Sequence, residues 1–230
     1  MAAAVLDGLL PSSPCATSGT GRRSTLPRLP SHEPKVITRE QARAIVRSAP
    51  EPYRPLVEVL AWCGLRPWEA FALRRRSIDF DARLLTISES KSLSDANDRL
   101  SFEASKNHQR RVLTLDERLL SALGQHLATH VPDTREALLF PGRTGQPLRA
   151  SSFYRRVWTP ALQSAGLSDV TPHALRRSVG SWLADAGVPI LDIASYLGHT
   201  RAQVTLKHYA RSLDDRGVRV AAAIEALRAT

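Results

Sequence analysis

Cysteine and long apolar runs are scarce in this sequence. Its 230 residues contain two cysteines, Cys15 and Cys63, which are too few for a disulfide framework and do not have the spacing of metal ligands. This scarcity favours a reducing compartment, and we expect a cytoplasmic protein. No apolar run approaches the roughly 18 residues that a membrane-spanning helix needs. The amino-terminal stretch lacks the basic residues that open a signal peptide, so we expect no membrane association.

Lysine is also rare, although the chain as a whole is strongly basic. Lysine and arginine number 32 against 22 acidic residues, which gives a net charge of +10. Of the 32 basic residues, four are lysines and the other 28 are arginines. An excess of this size favours a polyanionic partner such as nucleic acid. Because lysines are so few, a lysine close to a candidate site is informative.

The sequence divides into a short tail and one domain. Residues 1–34 are rich in Ser, Pro, Gly, Ala and Arg and lack periodicity, which is typical of a disordered, low-complexity segment. Residues 35–230 contain the periodic apolar segments, and the overall hydrophobic content of 43% suits a protein with a buried core. We therefore predict a disordered tail over 1–34 and one domain over 35–230.

Helix signals dominate the predicted domain. Thr38 and Gln41 have the spacing of a capping box, which predicts a helix through Ser48. A second apolar-periodic segment ends at Gly64, and Pro67 suits the first position of the next helix. Later helices are predicted to start at Asp116, at Ser151 or Ser152, and near Asp215.

Strand signals are confined to the middle of the chain. Residues 84–87 and 111–115 are short apolar stretches bounded by polar turns, and residues 99–102 are a possible third strand. The sequence therefore predicts an α+β fold that is mainly α, in which a helical bundle carries a small antiparallel β-sheet.

The segment that follows residue 170 begins with a strong helix signal. Thr171 suits an N-cap and Pro172 the first helical position. His173 and Arg176 follow three residues apart, a spacing that places both on one face of the helix. The sequence thus predicts an imidazole and a guanidinium in the first turns of a single helix.

Two further short helices are predicted after this one. Gly187 and Pro189 interrupt the chain, and Gly198 is the predicted C-cap of the second helix, directly before His199. A third helix is predicted from about residue 200 and carries Tyr209 near its end.

This set of side chains suits attack on a phosphodiester. A tyrosine hydroxyl, with a free pKa of about 10, is a poor nucleophile unless another group takes its proton and the electrophile's charge is neutralised. The planar fork of arginine matches two non-bridging phosphate oxygens, and imidazoles can donate hydrogen bonds or transfer the proton. Such chemistry requires neither a metal nor a cofactor, and we predict none.

The same residues resemble the catalytic motifs of the tyrosine recombinase, or phage integrase, family. Residues 173–176 match its H-x-L-R motif, residues 197–199 match its L-G-H motif, and Tyr209 stands where the family has its nucleophile. The first motif of the family is visible in residues 63–70, CGLRPWEA, around Arg66. The resemblance covers residues 35 to about 227.

Two small departures and one large one accompany the resemblance. Arg177 stands where a histidine is common, and Trp68 where a small residue is common. Family members usually have a helical core-binding domain before the first motif, and here that domain is expected to be absent. This leaves open a truncated or degenerate integrase or a minimal member of the family.

The resemblance implies a site-specific DNA recombinase that cuts and rejoins DNA through a covalent 3′-phosphotyrosyl intermediate. It implies a partner, double-stranded DNA, on which the chain would act as a homo-oligomer, a tetramer, in the cytoplasm and at the nucleoid. The implied catalytic residues are Arg66, Lys106, His173, Arg176, His199 and Tyr209.

Each of these residues has an implied role. Tyr209 attacks the scissile phosphate, and His173 handles its proton. Arg66 and Arg176 hold the non-bridging oxygens with assistance from His199. Lys106 protonates the leaving 5′-oxygen, as implied by its place before the strand 111–115.

Three alternatives remain open at this stage. Lys91 is a rival to Lys106 because it also lies beside a polar turn. Residues 174–197 are also compatible with a helix-turn-helix, which would indicate a DNA-binding module without catalysis. An activity like that of type IB topoisomerases is the nearest enzymatic alternative, since those enzymes share the chemistry.

Overall fold

The computed structural model describes residues 35–88 and 110–199, and the backbone of residues 92–94 and 101–103. The predicted tail over 1–34, both candidate lysines, Tyr209 and the helices predicted beyond residue 200 lie outside the described residues. The domain boundary at about residue 35 therefore stays a prediction.

Helices make up most of the described chain, as predicted. They are α1 (Arg39–Ser48), α2 (Arg54–Trp62), α3 (Pro67–Phe71), α4 (Glu117–His130), α5 (Ala150–Phe153), α6 (Thr159–Ser164), α7 (Pro172–Asp185) and α8 (Ile190–Leu197). Short 3₁₀ turns lie at Glu51–Tyr53 and Arg75–Ser77, and a π-helical turn spans Tyr154–Trp158.

Several predicted caps are confirmed. The Thr38 side chain accepts from the Gln41 backbone N–H at 3.2 Å while the Gln41 side chain accepts from the Thr38 N–H at 2.9 Å, which is a complete capping box. Asp116 caps α4 through the N–H of Leu119 at 3.0 Å. Gly198 ends α8 in the left-handed conformation, with φ of 66°.

The predicted cap at Ser151 or Ser152 is wrong. The helix begins at Ala150, and the Arg149 carbonyl already accepts the N–H of Phe153 at 2.9 Å, so both serines lie inside the first turn. The chain then passes through the π-helical turn into α6. This turn buries Trp158, whose indole N–H donates to the Val170 carbonyl at 2.9 Å.

The sheet is small and antiparallel, as predicted. Strands β1 (Ile78–Asp79), β2 (Leu84–Ser88) and β5 (Arg110–Thr114) pair in the order β1-β2-β5, with Leu85 opposite Leu113 and Ser88 opposite Arg110. Strands β3 (Ser92–Ser94) and β4 (Ser101–Glu103) form a separate two-stranded sheet. Strand β4 overlaps the predicted third strand, whereas β3 was not predicted.

The main core joins most of the helices to one face of the sheet, and a smaller cluster of Val179, Ala184, Ile193 and Leu197 packs α8 against α7. Helix α2 is buried along most of its length and packs against α1, α4 and α7. On β5, Arg111 and Leu113 face inward while Val112 is exposed. No helix within the described ranges is long and apolar enough to cross a membrane. The carboxyl ends of α2 and α8 meet at the buried α7, which creates the site described next.

Candidate active site

Arg66 is placed by the turn that joins α2 to α3. Gly64 has φ of 61°, and a Cβ there would lie 2.8 Å from Cδ2 of Leu197, so only glycine fits this position. Arg66 is the N-cap of α3, and Pro67 occupies the first helical position, as predicted. Its side chain is 37% exposed, so the guanidinium is accessible to a ligand.

Arg176 lies beneath this turn, in the interior of α7. The Thr171 hydroxyl caps the helix through the N–H of Ala174 at 3.2 Å, as predicted. The Arg176 guanidinium, 2% exposed, donates to the Gly64 carbonyl at 2.7 Å and, through Nη2, to the Leu197 carbonyl. One buried arginine therefore connects the ends of α2 and α8.

The turn after α8, which contains Gly198 and His199, lies beside Arg66 and Arg176. The Gly198 carbonyl accepts from Nη2 of Arg66 at 3.3 Å, and the His199 N–H donates to the Ala194 carbonyl at 2.9 Å. His199 is half-buried. The two sequence motifs, more than a hundred residues apart, are thus joined by direct hydrogen bonds.

Glu69 and Arg111 form a buried ion pair behind Arg66. Both oxygens of Glu69 accept from Arg111, at 3.0 and 2.7 Å. The same carboxylate accepts from the Arg66 backbone N–H at 2.8 Å and from its Nη1 at 2.7 Å. Glu69 therefore orients Arg66 through both its backbone and its side chain.

Arg111 is a site residue that sequence reasoning missed. It is 9% exposed, and Gly198 packs against it so closely that a Cβ at Gly198 would lie 2.9 Å from Nη1 of Arg111. Arg111 thus supports Arg66 through Glu69 and the L-G-H turn by direct contact. Strand alternation could have found it, because Arg111 falls on the same face as the apolar Leu113.

The charge of Glu69 should stabilise the fold in a pH-dependent way. Burial alone would raise its pKa, but the hydrogen bonds and charge of Arg111, with Arg66 and Arg176, lower it to about 2. Because the unfolded value is about 4.3, the ionised form contributes on the order of 3 kcal/mol above that pH. This contribution decreases as the pH falls from about 4.3 towards 2.

We expect Glu69→Gln to lower the free energy of unfolding at neutral pH and to flatten its decline below pH 4.3. Urea unfolding at several pH values would measure both effects. Glu117→Gln is the matched control, since that carboxylate is 75% exposed and pairs with Arg83 at the surface. Equal pH dependence in Glu69→Gln and the parent chain would contradict this account.

The predicted site residues divide into three groups. Arg66, Arg176 and His199 are brought together around residues 197–199. His173 lies on the first turn of α7, one turn before Arg176, and is exposed. Lys106 and Tyr209 lie outside the described residues, so their places remain predictions.

Two other features define the chemistry of the site. Cys63, directly before Gly64, is 3% exposed, and burial raises the pKa of its thiol to about 12. Across the ranges that the structure describes, no three His, Cys, Asp or Glu side chains are grouped as metal ligands. The chemistry that the described site can perform is therefore charge stabilisation by arginines and hydrogen bonding or proton transfer by histidines.

Comparison with known proteins identifies the family. Residues 35–216 match the model of the phage integrase family. A protein named as the prophage phiRv2 integrase of Mycobacterium tuberculosis is 30% identical over 210 residues, which are 90% of this chain and 54% of that protein. Tyrosine recombinase XerA of Thermococcus kodakarensis is 29% identical over 185 residues, covering 78% of this chain and 59% of that protein.

Solved structures show the same fold. The Tn1549 transposon integrase in complex with transposon right end DNA has a TM-score of 0.68 at 20% identity, covering 83% of this chain and 67% of that chain. The catalytic domain of bacteriophage HP1 integrase has a TM-score of 0.53 at 16% identity, covering 78% and 89%. This chain spans about half the length of the mycobacterial relative. With its family model matched over 35–216 and its two motifs joined at residues 197–199, the chain belongs to the phage integrase family.

Proposed function

We propose that this chain is the catalytic domain of a site-specific tyrosine recombinase, which cuts and rejoins duplex DNA through a 3′-phosphotyrosyl intermediate. Tyr209 attacks the scissile phosphorus and displaces the 5′-oxygen. Rejoining reverses the step when a 5′-hydroxyl attacks the phosphotyrosine, so one phosphodiester replaces another and no external energy source is required. Double-stranded DNA is the proposed substrate.

The observation that carries this proposal is the convergence of Arg66 and Arg176 on the turn that presents His199. Arg66 donates to the Gly198 carbonyl at 3.3 Å, and Arg176 donates to the adjacent Leu197 carbonyl. A guanidinium has five N–H donors, and Arg66 uses one on Nη1 for Glu69 and one on Nη2 for Gly198, so its other N–H groups can bind a phosphate oxygen. Donors fixed in advance stabilise the developing charge of a transition state most effectively.

The roles of the other residues follow from what the reaction requires. In this proposal His173, which is exposed at the start of α7, takes the phenol proton, and the half-buried His199 donates to a non-bridging oxygen. Lys106 protonates the departing 5′-oxygen. Arg176, which the Gly64 and Leu197 carbonyls anchor, is the second arginine that holds a non-bridging oxygen in this proposal.

A purely DNA-binding helix-turn-helix is less well supported. Helices α7 and α8 are joined by a short turn, as in that motif. However, α7 buries Arg176 against the ends of α2 and α8. A helix-turn-helix that only binds DNA does not require a buried arginine at this position. An assembly on DNA as a tetramer, and a location in the cytoplasm at the nucleoid, are further parts of the proposal.

Trapping the covalent intermediate tests the proposal directly. The chain would be incubated with a library of nicked duplexes, randomised around the nick so that no target sequence is assumed. A nick beside the scissile phosphate lets the 5′-hydroxyl fragment diffuse away, so the adduct accumulates. We expect a protein–DNA adduct whose digestion yields a nucleotide on the peptide that contains Tyr209. An adduct on any other residue would contradict the mechanism.

The choice between Lys106 and Lys91 has its own test. If Lys106 is the general acid, Lys106→Ala should slow cleavage by orders of magnitude on ordinary DNA but not on a 5′-phosphorothiolate, because a thiolate leaves without a proton. Lys91→Ala is the matched control and should behave like the parent chain. Gel quantification of the adduct on both substrates measures this, and the reverse pattern would assign the role to Lys91.

A further inference from the structure

A second basic site lies beside Arg66. A cleft of about 350 Å³ is lined by four arginines, Arg74, Arg76, Arg110 and Arg135, together with three hydroxyl side chains. We call it the arginine cleft. Glu69, which orients Arg66, also lines this cleft. The arginine cleft therefore begins one side chain away from the proposed scissile-phosphate site.

Three chain segments build the arginine cleft. Residues 73–76 run beside 135–139: the Arg76 N–H donates to the Arg135 carbonyl at 3.2 Å, and the Leu139 N–H donates to the Leu73 carbonyl at 2.8 Å. The third segment is the β2–β5 pair, in which Arg110 lies opposite Ser88. These backbone hydrogen bonds fix the positions of the Cα atoms of the four arginines. The fold itself therefore holds the four side chains close together.

The charge of the arginine cleft is strongly positive. Its one lining carboxylate, Glu69, is already bound by Arg111 and Arg66. A second carboxylate, Glu136, pairs with Arg76 at 2.6 Å and lies 3.7 Å from Nε of Arg74, but it is 61% exposed. An exposed ion pair contributes little, so a phosphate can replace the Glu136 carboxylate as a partner of Arg76 and of Nε of Arg74, while Nη1 of Arg74 keeps its hydrogen bond to the Glu136 carbonyl.

We propose that the arginine cleft binds a backbone phosphate of the bound duplex next to the scissile phosphate. This phosphate belongs either to the strand that is cut or to its complement. This inference rests on the proposed function for the identity of the ligand. Phosphates along a strand are about 3.4 Å apart in rise, so a duplex held at Arg66 presents others close by. Arginine forks with nearby hydroxyl donors suit phosphate oxygens. The contact would set the register of the duplex without reading its bases.

The salt dependence of DNA binding tests this proposal. The variants are Arg110→Gln, Arg135→Gln and the double variant, because both side chains are exposed and their loss spares the core. Fluorescence anisotropy with a labelled duplex of mixed sequence, over a series of salt concentrations, gives the slope of log K against log salt. Each lost phosphate contact should reduce the magnitude of that slope by about 0.9.

Two controls separate a specific contact from a general loss of charge. Arg118→Gln removes a guanidinium whose side chain is 88% exposed and lies outside the arginine cleft; its slope should match the parent. Glu136→Gln removes the competing carboxylate, so it should tighten duplex binding more than Asp133→Asn, whose carboxylate pairs with Arg75. An unchanged slope in the double variant, or an equal loss in Arg118→Gln, would overturn the proposal.

The test is independent of catalysis. All variants would be made in a Tyr209→Phe background, so no covalent step contributes to the measured affinity. A reduced slope in the double variant supports the arginine cleft even if no covalent adduct forms. An unchanged slope overturns it while adduct formation continues to support the recombinase assignment.

Discussion

Replacing Tyr209 with phenylalanine is expected to abolish the covalent adduct while leaving duplex affinity unchanged. The substitution removes only the hydroxyl oxygen that is the proposed nucleophile. We expect no other tyrosine of the chain to take over this role. Its other three tyrosines are Tyr53, Tyr154 and Tyr196, and burial raises the pKa of each. A raised pKa disfavours the phenolate, and the hydroxyls of Tyr53 and Tyr196 already donate to the Pro141 and Trp62 carbonyls. We therefore expect no adduct on these three residues.

Tyr196→Phe is the matched control for this experiment. Tyr196 lies on α8, close to the L-G-H turn, and its hydroxyl donates to the Trp62 carbonyl at 3.4 Å. Its loss should cost about 1 kcal/mol of stability and leave adduct formation intact. Denaturing gel electrophoresis with labelled DNA reads the adduct, and anisotropy reads the affinity. An adduct that persists in Tyr209→Phe would refute the assignment of the nucleophile.

Arg176→Ala should have the second largest effect, and on two properties at once. Single-turnover adduct formation should fall by orders of magnitude, since a lost transition-state donor costs about 3–4 kcal/mol. Stability should also fall, because the buried carbonyls of Gly64 and Leu197 would lose the guanidinium that binds them. An unsatisfied buried acceptor costs about 1–3 kcal/mol, so the melting temperature should drop clearly.

Arg176→Lys separates the two effects. A lysine ammonium retains the charge and can donate to one of the two carbonyls, but it lacks the planar fork. We expect it to recover part of the stability and little of the rate. Thermal unfolding and adduct formation measured on the same samples would show this. Recovery of both in parallel would mean that Arg176 acts through stability alone.

The caps and helix starts around the site could be read from local sequence because the interactions that define them are local. Thr38 bonds to Gln41 three residues away, and Thr171 caps α7 through the N–H of Ala174. Arg66 and Pro67 begin α3 as predicted for the same reason. Such short-range hydrogen bonds depend on residue type and spacing, and sequence contains both.

The π-helical turn and the cap before it could not be predicted in this way. Ser151 and Ser152 are residue types that favour the N-cap position, yet Arg149 occupies it, and its side chain does not cap the helix. What decides the outcome is tertiary packing, in which Phe153 and Trp158 are both buried and their rings stack at 6.0 Å. Helix prediction depends on a period of 3.6 residues. A π-helical turn has hydrogen bonds between residues five apart and so does not follow that period.

The Glu69–Arg111 pair illustrates a second limit. Arg111 follows Arg110 in a basic stretch that suggests a solvated strand end, but the alternation of β5 buries the one and exposes the other. The partner lies 42 residues earlier in the sequence, so no local pattern could identify it. Trp68, a departure from the family pattern, is explained by packing, since it contacts Phe71 edge-on at 5.8 Å.

The buried thiol at the end of α2 gives the site a natural reporter. Cys63 adjoins Gly64, whose carbonyl binds Arg176, so an alkylating reagent reaches the sulfur only when this helix end has opened. With its pKa raised to about 12 the thiol is also intrinsically unreactive. Inactivation by a maleimide, with Cys15 replaced by serine, would therefore measure how often the junction of the two motifs opens under native conditions. It would not indicate a thiol in the reaction.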